Sequence, residues 1–227
     1  MVVCANPFND PVVAGHYEQW YMGRGQGAAR LEKRLLGKLL AGFPNARTAI
    51  EIGCGAGYFT RWLASRGLEV VGLDLSLPML REARRMGNAP YVLGDALKLP
   101  FAERSFDLVV FVTSLEFVAD QALALIEASR VARCGLLLGV LNRWSLTTLS
   151  YRLSGRDLWR SARFLSLTQL RRLILSSLNE RVLTLQWRAT LWPLPGVGDL
   201  PLPWGGFIGA AIHLADGVLP VVRGGAS

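Results

Sequence analysis

The sequence predicts an α/β fold: a Rossmann-like, seven-stranded, mostly parallel sheet flanked by helices. Three observations carry this reading. Short β-prone runs alternate with helical stretches from residue 48 to residue 141, as stacked βαβ units do. Phe106–Val112 and residues 135–141 are almost unbroken apolar runs, which mark strands covered on both faces. The first strand ends in Gly53-Cys-Gly-Ala-Gly57, where glycine lets the chain turn sharply into a helix.

The elements follow in order. Residues 26–43 place Leu31, Leu35, Leu36, Leu39 and Leu40 at helical spacing. Residues 48–52 form the first strand, 59–65 a helix and 69–75 the second strand. Ser76 caps a helix running to Met86, with Pro78 tolerated in its first turn. Tyr91–Leu93 is a short third strand, Phe106–Val112 the fourth and 135–141 the fifth; a helix capped by Asp120 runs to Val131 between the last two.

Beyond Asn142 the periodicity loosens. Residues 144–153 and 168–177 read as helices, the second with Ser166 or Thr168 as cap. Residues 180–191 alternate as a strand, and 192–206 form a loop rich in Pro, Gly and Trp. A helix at 207–215 and a short strand at 218–223 close the chain.

With 227 residues, 51% hydrophobic and 19% charged, the chain can bury a full core and is not a disordered segment. Cys4, Cys54 and Cys134 are an odd set without close spacing, which suits a reducing, cytoplasmic setting. No basic stretch followed by an apolar run opens the chain, so no signal peptide is expected. Residues 205–222 reach membrane-spanning length but carry His213 and Asp216 and stop at Arg223. They are expected to be a buried segment, with peripheral membrane contact left open. The net charge is +8, and residues 141–190 hold nine arginines against Asp157 and Glu180, a balance of +7. Such a stretch is either a solvated face or an attractor for an anionic partner.

The glycine loop alone does not decide the function, because a tight turn needs glycine for steric reasons. Two acids downstream sharpen it. Asp74 ends the second strand, 21 residues after Gly53, where a carboxylate can accept both hydrogen bonds of a ribose diol. Gly94-Asp-Ala96 follows the third strand, and a carboxylate there can accept from an exocyclic adenine amine.

Glu51-Ile-Gly-Cys-Gly-Ala-Gly57, Asp74, Gly94-Asp-Ala96 and Phe106-Asp-Leu-Val-Val110 resemble the motifs of class I S-adenosylmethionine-dependent methyltransferases. They are most similar to the branch that includes the ubiquinone and menaquinone biosynthesis enzymes. The resemblance covers residues 49–141 and implies S-adenosylmethionine as cofactor and a small-molecule acceptor. It implies that Glu51 sits beneath the methionine end, with Gly53, Cys54, Gly55 and Gly57 close to methionine and ribose. Asp74 would take the ribose hydroxyls, Leu75 and Met79 would lie against adenine, and Asp95 and Ala96 would read its edge. Thr113 would lie near the methionine carboxylate, and Tyr17 and Trp20 would form an aromatic lid. It also implies one domain in three parts: a helical lid at 1–46, a cofactor-binding core at 47–141, and substrate-side helices with closing strands at 142–227.

Two departures stand out. Arg133-Cys-Gly135 replaces the usual Pro-Gly-Gly, and Ser114-Leu-Glu116 replaces the usual histidine pair, which argues against histidine-based proton transfer. Methyl transfer needs a base only if the acceptor must lose a proton. Glu116, Asp120, His16 and Tyr17 are the groups nearest the expected cleft, each read more readily as a cap or packing residue than as a base, so no catalytic residue is assigned. No metal site is expected. Asn142, Arg143 and Trp144 stand at the exit of the fifth strand, and Arg152, Arg156, Arg160 and Arg163 behind them could hold a carboxylate or phosphate.

Other readings remain. A nicotinamide-dependent oxidoreductase shares the strand–glycine–acid arrangement, but Tyr58 stands where its fingerprint has the third glycine. A non-catalytic cofactor-binding or interaction protein would keep the loop and lose the acceptor pocket. A nucleic-acid methyltransferase lacks support, since no Asn-Pro-Pro-Tyr type motif follows the fourth strand and no aromatic–basic platform is evident.

Overall fold

The computed structural model describes residues 7–153, 159, 161–191 and 199–215. A single turn of 3-10 helix at Pro7–Asn9 leads into α1 (Pro11–Met22), whose first N–H groups are capped by Asp10, and α2 (Gln26–Leu40). Next come β1 (Thr48–Ile52), α3 (Tyr58–Ser65), β2 (Glu69–Asp74), α4 (Leu77–Met86), β3 (Tyr91–Leu93) and β4 (Phe106–Val112). The second half holds α5 (Gln121–Val131), β5 (Ala132–Leu141), α6 (Leu146–Leu153), α7 (Leu167–Leu178), β6 (Val182–Thr190) and β7 (Phe207–Leu214). Ser76 and Asp120 cap α4 and α5 as the sequence predicts, and of the two candidates for α7 the cap is Ser166, through a full capping box with Gln169.

One seven-stranded sheet runs in the order β3-β2-β1-β4-β5-β7-β6. The first five strands pair in parallel, and β7 runs antiparallel to both β5 and β6. Alternate residues of β1 and β4 feed two cores. Ile50, Ile52, Val109 and Phe111 pack with Leu125 of α5 and Leu170 and Ile174 of α7. Ala49, Leu108 and Val110 pack on the other face with Leu35, Leu36 and Leu39 of α2 and Phe59 and Leu63 of α3.

The closing elements differ from the expectation. Residues 207–215 were expected to be helical, whereas Phe207–Leu214 is the seventh strand, lodged between β5 and β6. It is buried on nearly every residue, so the two-residue alternation that betrays a strand is absent. Its small Gly209-Ala-Ala211 centre admits α2: a Cβ at Gly209 would stand 2.0 Å from a Leu35 methyl. The expected strand at 218–223 lies outside the described residues, as do 192–198 of the expected loop. The apolar segment does run buried from Gly205 to Leu214. Among the described residues no helix is long and apolar enough to cross a membrane.

The departure at 133–135 has a local account. The Arg133 guanidinium donates to an Asp107 carboxylate oxygen at 2.7 Å and to the Arg104 carbonyl at 2.7 Å, tying the β5 start to β4. Gly135 is retained because any Cβ there would meet the Ile212 carbonyl oxygen of β7 at 2.1 Å.

Candidate functional site

A cavity of about 310 Å³ opens at the C-terminal ends of β1 to β4, a volume within the range of small-molecule sites. Its position is that of ligand clefts in open α/β sheets. Of the residues singled out by the sequence, Tyr17, Gly53, Gly55, Asp74, Leu75, Asp95, Ala96 and Thr113 line it.

The glycine loop turns through left-handed backbone at Gly53 (φ +70°) and Gly55 (φ +52°). A Cβ at Gly53 would stand 2.4 Å from the Ser114 Cβ, so both conformation and space demand glycine. Asp74 holds this loop in place. Its carboxylate accepts from the Gly55 N–H and the Ser76 N–H, each at 2.8 Å. Burial pushes the Asp74 carboxyl up, and the backbone N–H groups of Ser76, Gly55 and Leu75 oppose that shift.

Thr113 lies just past β4 with φ +48°, an uncommon conformation for a β-branched residue and one found where structure holds strain for function. Its N–H donates to the Gly139 carbonyl at 2.8 Å, which fixes it to β5. Asp95 spends one carboxylate oxygen on the Leu97 N–H at 2.9 Å. Leu75 is largely exposed at the rim.

The other expected residues stand behind the wall. Glu51 is buried under the loop, where its carboxylate accepts from the Thr60 hydroxyl; burial pushes it up to about 8. Cys54 and Met79 are also buried, the Cys54 sulfur facing Gly72. Gly57 begins α3 in left-handed backbone against the Tyr91 ring. The Trp20 ring packs over Gly25 and edge-on to Tyr21 instead of covering the cavity.

The aromatic cover is built from a residue that sequence reasoning missed. Phe8 lines the cavity, edge-on to Tyr17 at 6.0 Å and to Phe117 at 5.0 Å between ring centres. The Ser76 hydroxyl donates to the Phe8 carbonyl at 2.6 Å, and an ion pair between Glu18 and Arg61 ties α1 to α3. Nothing in the local sequence around Phe8 signals this, since the contact is made to α4 across 68 residues. Ser114, Phe117 and Ser161 complete the wall, Ser114 donating to the Ile52 carbonyl at 2.7 Å.

The four groups weighed as bases separate clearly. Asp120 caps α5, accepting from the Ala122 and Leu123 N–H groups at 3.0 Å each. His16 is exposed with Nδ1 at 2.8 Å from the Val12 carbonyl. Glu116 is buried, accepts from the Leu141 N–H at 2.6 Å and is pushed up by burial to about 7. Tyr17 alone of the four lines the cavity, and burial pushes its hydroxyl up to about 12.

At the β5 exit, Asn142 donates to the Pro203 and Gly205 carbonyls at 2.7 and 2.8 Å, which makes it a brace for the loop before β7. Arg143 has a buried Nε with no hydrogen-bond partner and lies over the Trp144 ring. Arg163 donates to the Ala119 carbonyl at 2.6 Å. Arg156, Arg160 and the Arg152 side chain lie outside what the structure describes. No cluster suited to a metal ion occurs among the described residues.

Comparison with known proteins agrees with this geometry. Residues 50–138 match the family model described as methyltransferase domain. A demethylmenaquinone methyltransferase of Roseiflexus sp. (strain RS-1) is 44% identical over 103 residues, 42% of each chain. A malonyl-[acyl-carrier protein] O-methyltransferase of Pseudescherichia vulneris is 38% identical over 110 residues, 47% of this chain and 44% of that one. The chain thus spans under half the length of these two curated relatives. The solved structure of an S-adenosylmethionine-dependent methyltransferase from Thermotoga maritima, described as a possible histamine N-methyltransferase, superposes with a TM-score of 0.77 at 26% identity. That match covers 90% of this chain and 98% of the other. Residues 50–138 thus match a methyltransferase domain, and the fold of the chain is similar to that of the Thermotoga maritima S-adenosylmethionine-dependent methyltransferase.

Proposed function

We propose that this chain transfers the methyl group of S-adenosylmethionine to a small-molecule acceptor by in-line displacement. The observation that carries the reading is the meeting of Gly53, Gly55, Asp74, Asp95, Ala96 and Thr113 in one cavity. S-adenosylmethionine, when bound, supplies a methyl group activated by its sulfonium.

The wall fits that group. Asp74 faces the cavity and keeps lone pairs beyond those that the Gly55 and Ser76 N–H groups use, so that it could accept from a ribose diol. Gly53 and Gly55 would let backbone approach the methionine end, with Glu51 and its hydrogen bond from the Thr60 hydroxyl bracing the loop from beneath. Asp95 and Ala96 would meet the adenine edge, Leu75 its face, and Thr113 the methionine carboxylate. Cys54, Gly57 and Met79 shape this wall from behind. Tyr17 and Phe8 exclude water, so that collinear placement of donor and acceptor supplies much of the rate.

In this reading residues 1–46 are the lid, with Trp20 bracing it; 47–141 bind the cofactor, and 142–227 form the acceptor side. The protein acts in the cytoplasm and not on nucleic acid. The acceptors named for the two relatives, a demethylmenaquinone and a malonyl-[acyl-carrier protein], differ in kind, so likeness alone does not choose one. The orphaned Nε of Arg143 at the β5 exit supports an acceptor carrying a carboxylate or phosphate.

Thermal unfolding with S-adenosylmethionine, S-adenosylhomocysteine and NAD tests the reading. Saturation near a hundredfold excess over Kd adds ~2.7 kcal/mol, which raises the midpoint by roughly 5–10 °C for a chain of this size. A rise with the first two ligands is expected; a rise with NAD alone would refute it.

A further inference from the structure

The α6 helix turns its leucines to solvent. Its inner side is made by Thr148, fully buried, and Tyr151, packed half-buried on the core, with Ser145 buried just before its start. Its leucines face outward: Leu146, Leu149 and Leu153 recur at helical spacing on one side and are between 50% and 77% exposed. Two tryptophans extend this face. Trp144 precedes the helix, and Trp204 stands on the loop that Asn142 holds beside it through the Pro203 and Gly205 carbonyls. Single exposed apolar residues are ordinary, but five large ones grouped at one corner mark an interaction surface.

The charge of this stretch of the sequence selects the partner. Residues 142–163 hold five arginines and one acid, Asp157. Arg143 lies against the Trp144 ring, 5.4 Å from its centre, with its Nε unpartnered. A second copy of the chain would present the same positive charge, and like charges across an interface oppose association. An anionic surface would not. Leucines and tryptophans on one side of a helix within an arginine-rich stretch of sequence are what an interfacial helix presents to acidic lipid headgroups.

We propose that the face formed by Trp144, Leu146, Leu149, Leu153 and Trp204 docks the protein peripherally on an anionic lipid bilayer. The face follows the C-terminal end of β5, the same sheet edge at which the cavity opens, and Ser161 from the segment after α6 lies in the cavity wall. Docking there brings the cavity mouth to the membrane. The inference does not depend on the reaction proposed above.

Flotation of the full chain with phosphatidylcholine vesicles, with and without phosphatidylglycerol, tests it. Binding is expected to the phosphatidylglycerol vesicles, to weaken with added salt, and to fall by at least roughly tenfold in a Leu146→Glu, Leu149→Glu variant. The variant should keep the native unfolding midpoint and its S-adenosylhomocysteine shift, which separates loss of docking from loss of fold or cofactor site. If the double variant does not fold, Leu149→Ser serves in its place. Failure of the native chain to float, or flotation unaffected by the substitutions, overturns the proposal. So does a dimer in analytical ultracentrifugation that the same substitutions dissolve, because a second copy would then cover the face.

Discussion

Asp74→Asn separates two roles that one carboxylate can play. Asp74 holds the glycine loop through the Gly55 N–H and its own turn through the Ser76 N–H, both at 2.8 Å, and it faces the cavity where a ribose would lie. Asparagine keeps one acceptor oxygen and turns an amide nitrogen toward the other N–H. In the free protein this weakens one charge-assisted hydrogen bond, a cost of about 1–2 kcal/mol, or a fall in Tm of roughly 2–8 °C. In the complex a hydroxyl also loses its charged acceptor, worth about 1.5–3 kcal/mol, so the Kd for S-adenosylhomocysteine should rise by roughly 10- to 150-fold. Titration calorimetry gives the Kd and a thermal melt gives the stability. A lowered Tm with an affinity unchanged within about threefold would show that Asp74 only organises the loop, and would refute its role as ribose acceptor.

Three further outcomes follow from the packing. Burial pushes Glu32, Glu51 and Glu116 up to about 8, about 8 and about 7 from an ordinary value of 4.5. Folded values above the unfolded one favour the folded state fully below about pH 4.5, and that contribution is lost as pH rises through roughly 8. The Tm of the free protein should therefore fall across this window and fall less in Glu32→Gln; a flat profile would contradict the burial of these acids. Gly209→Ala would push a methyl into Leu35 and Leu39, overpacking that costs about 1–3 kcal/mol and shows as a lower urea midpoint. Asp120→Ala should cost about 1 kcal/mol through the lost α5 cap while leaving the S-adenosylhomocysteine Kd unchanged; a weakened affinity would return Asp120 to the cofactor or acceptor site.

The first five strands, the caps at Ser76, Asp120 and Ser166, and the glycine loop with Asp74 were legible in the linear chain. Each rests on neighbours in sequence: a cap needs a side chain two or three residues from its N–H, and a tight turn needs glycine at the turning residue. The same local logic identified the apolar runs of β4 and β5, because strands covered on both faces are apolar at every position. It failed at 207–215, where Gly209-Ala-Ala211 carries no strand periodicity and the antiparallel partners β5 and β6 decide the conformation. Tertiary structure also decided which expected cofactor residues reach the cavity. Cys54 and Met79 were expected at the cofactor yet face inward, while Phe8, far away in sequence, is carried to the rim by its bond with Ser76. The outward leucines of α6 belong to the same class, since helical spacing shows that they share a face and only packing shows that the face is left open. Local chemistry determines turns, caps and the type of a periodic element; the direction a side chain faces depends on contacts between residues far apart in the chain, which no short window contains.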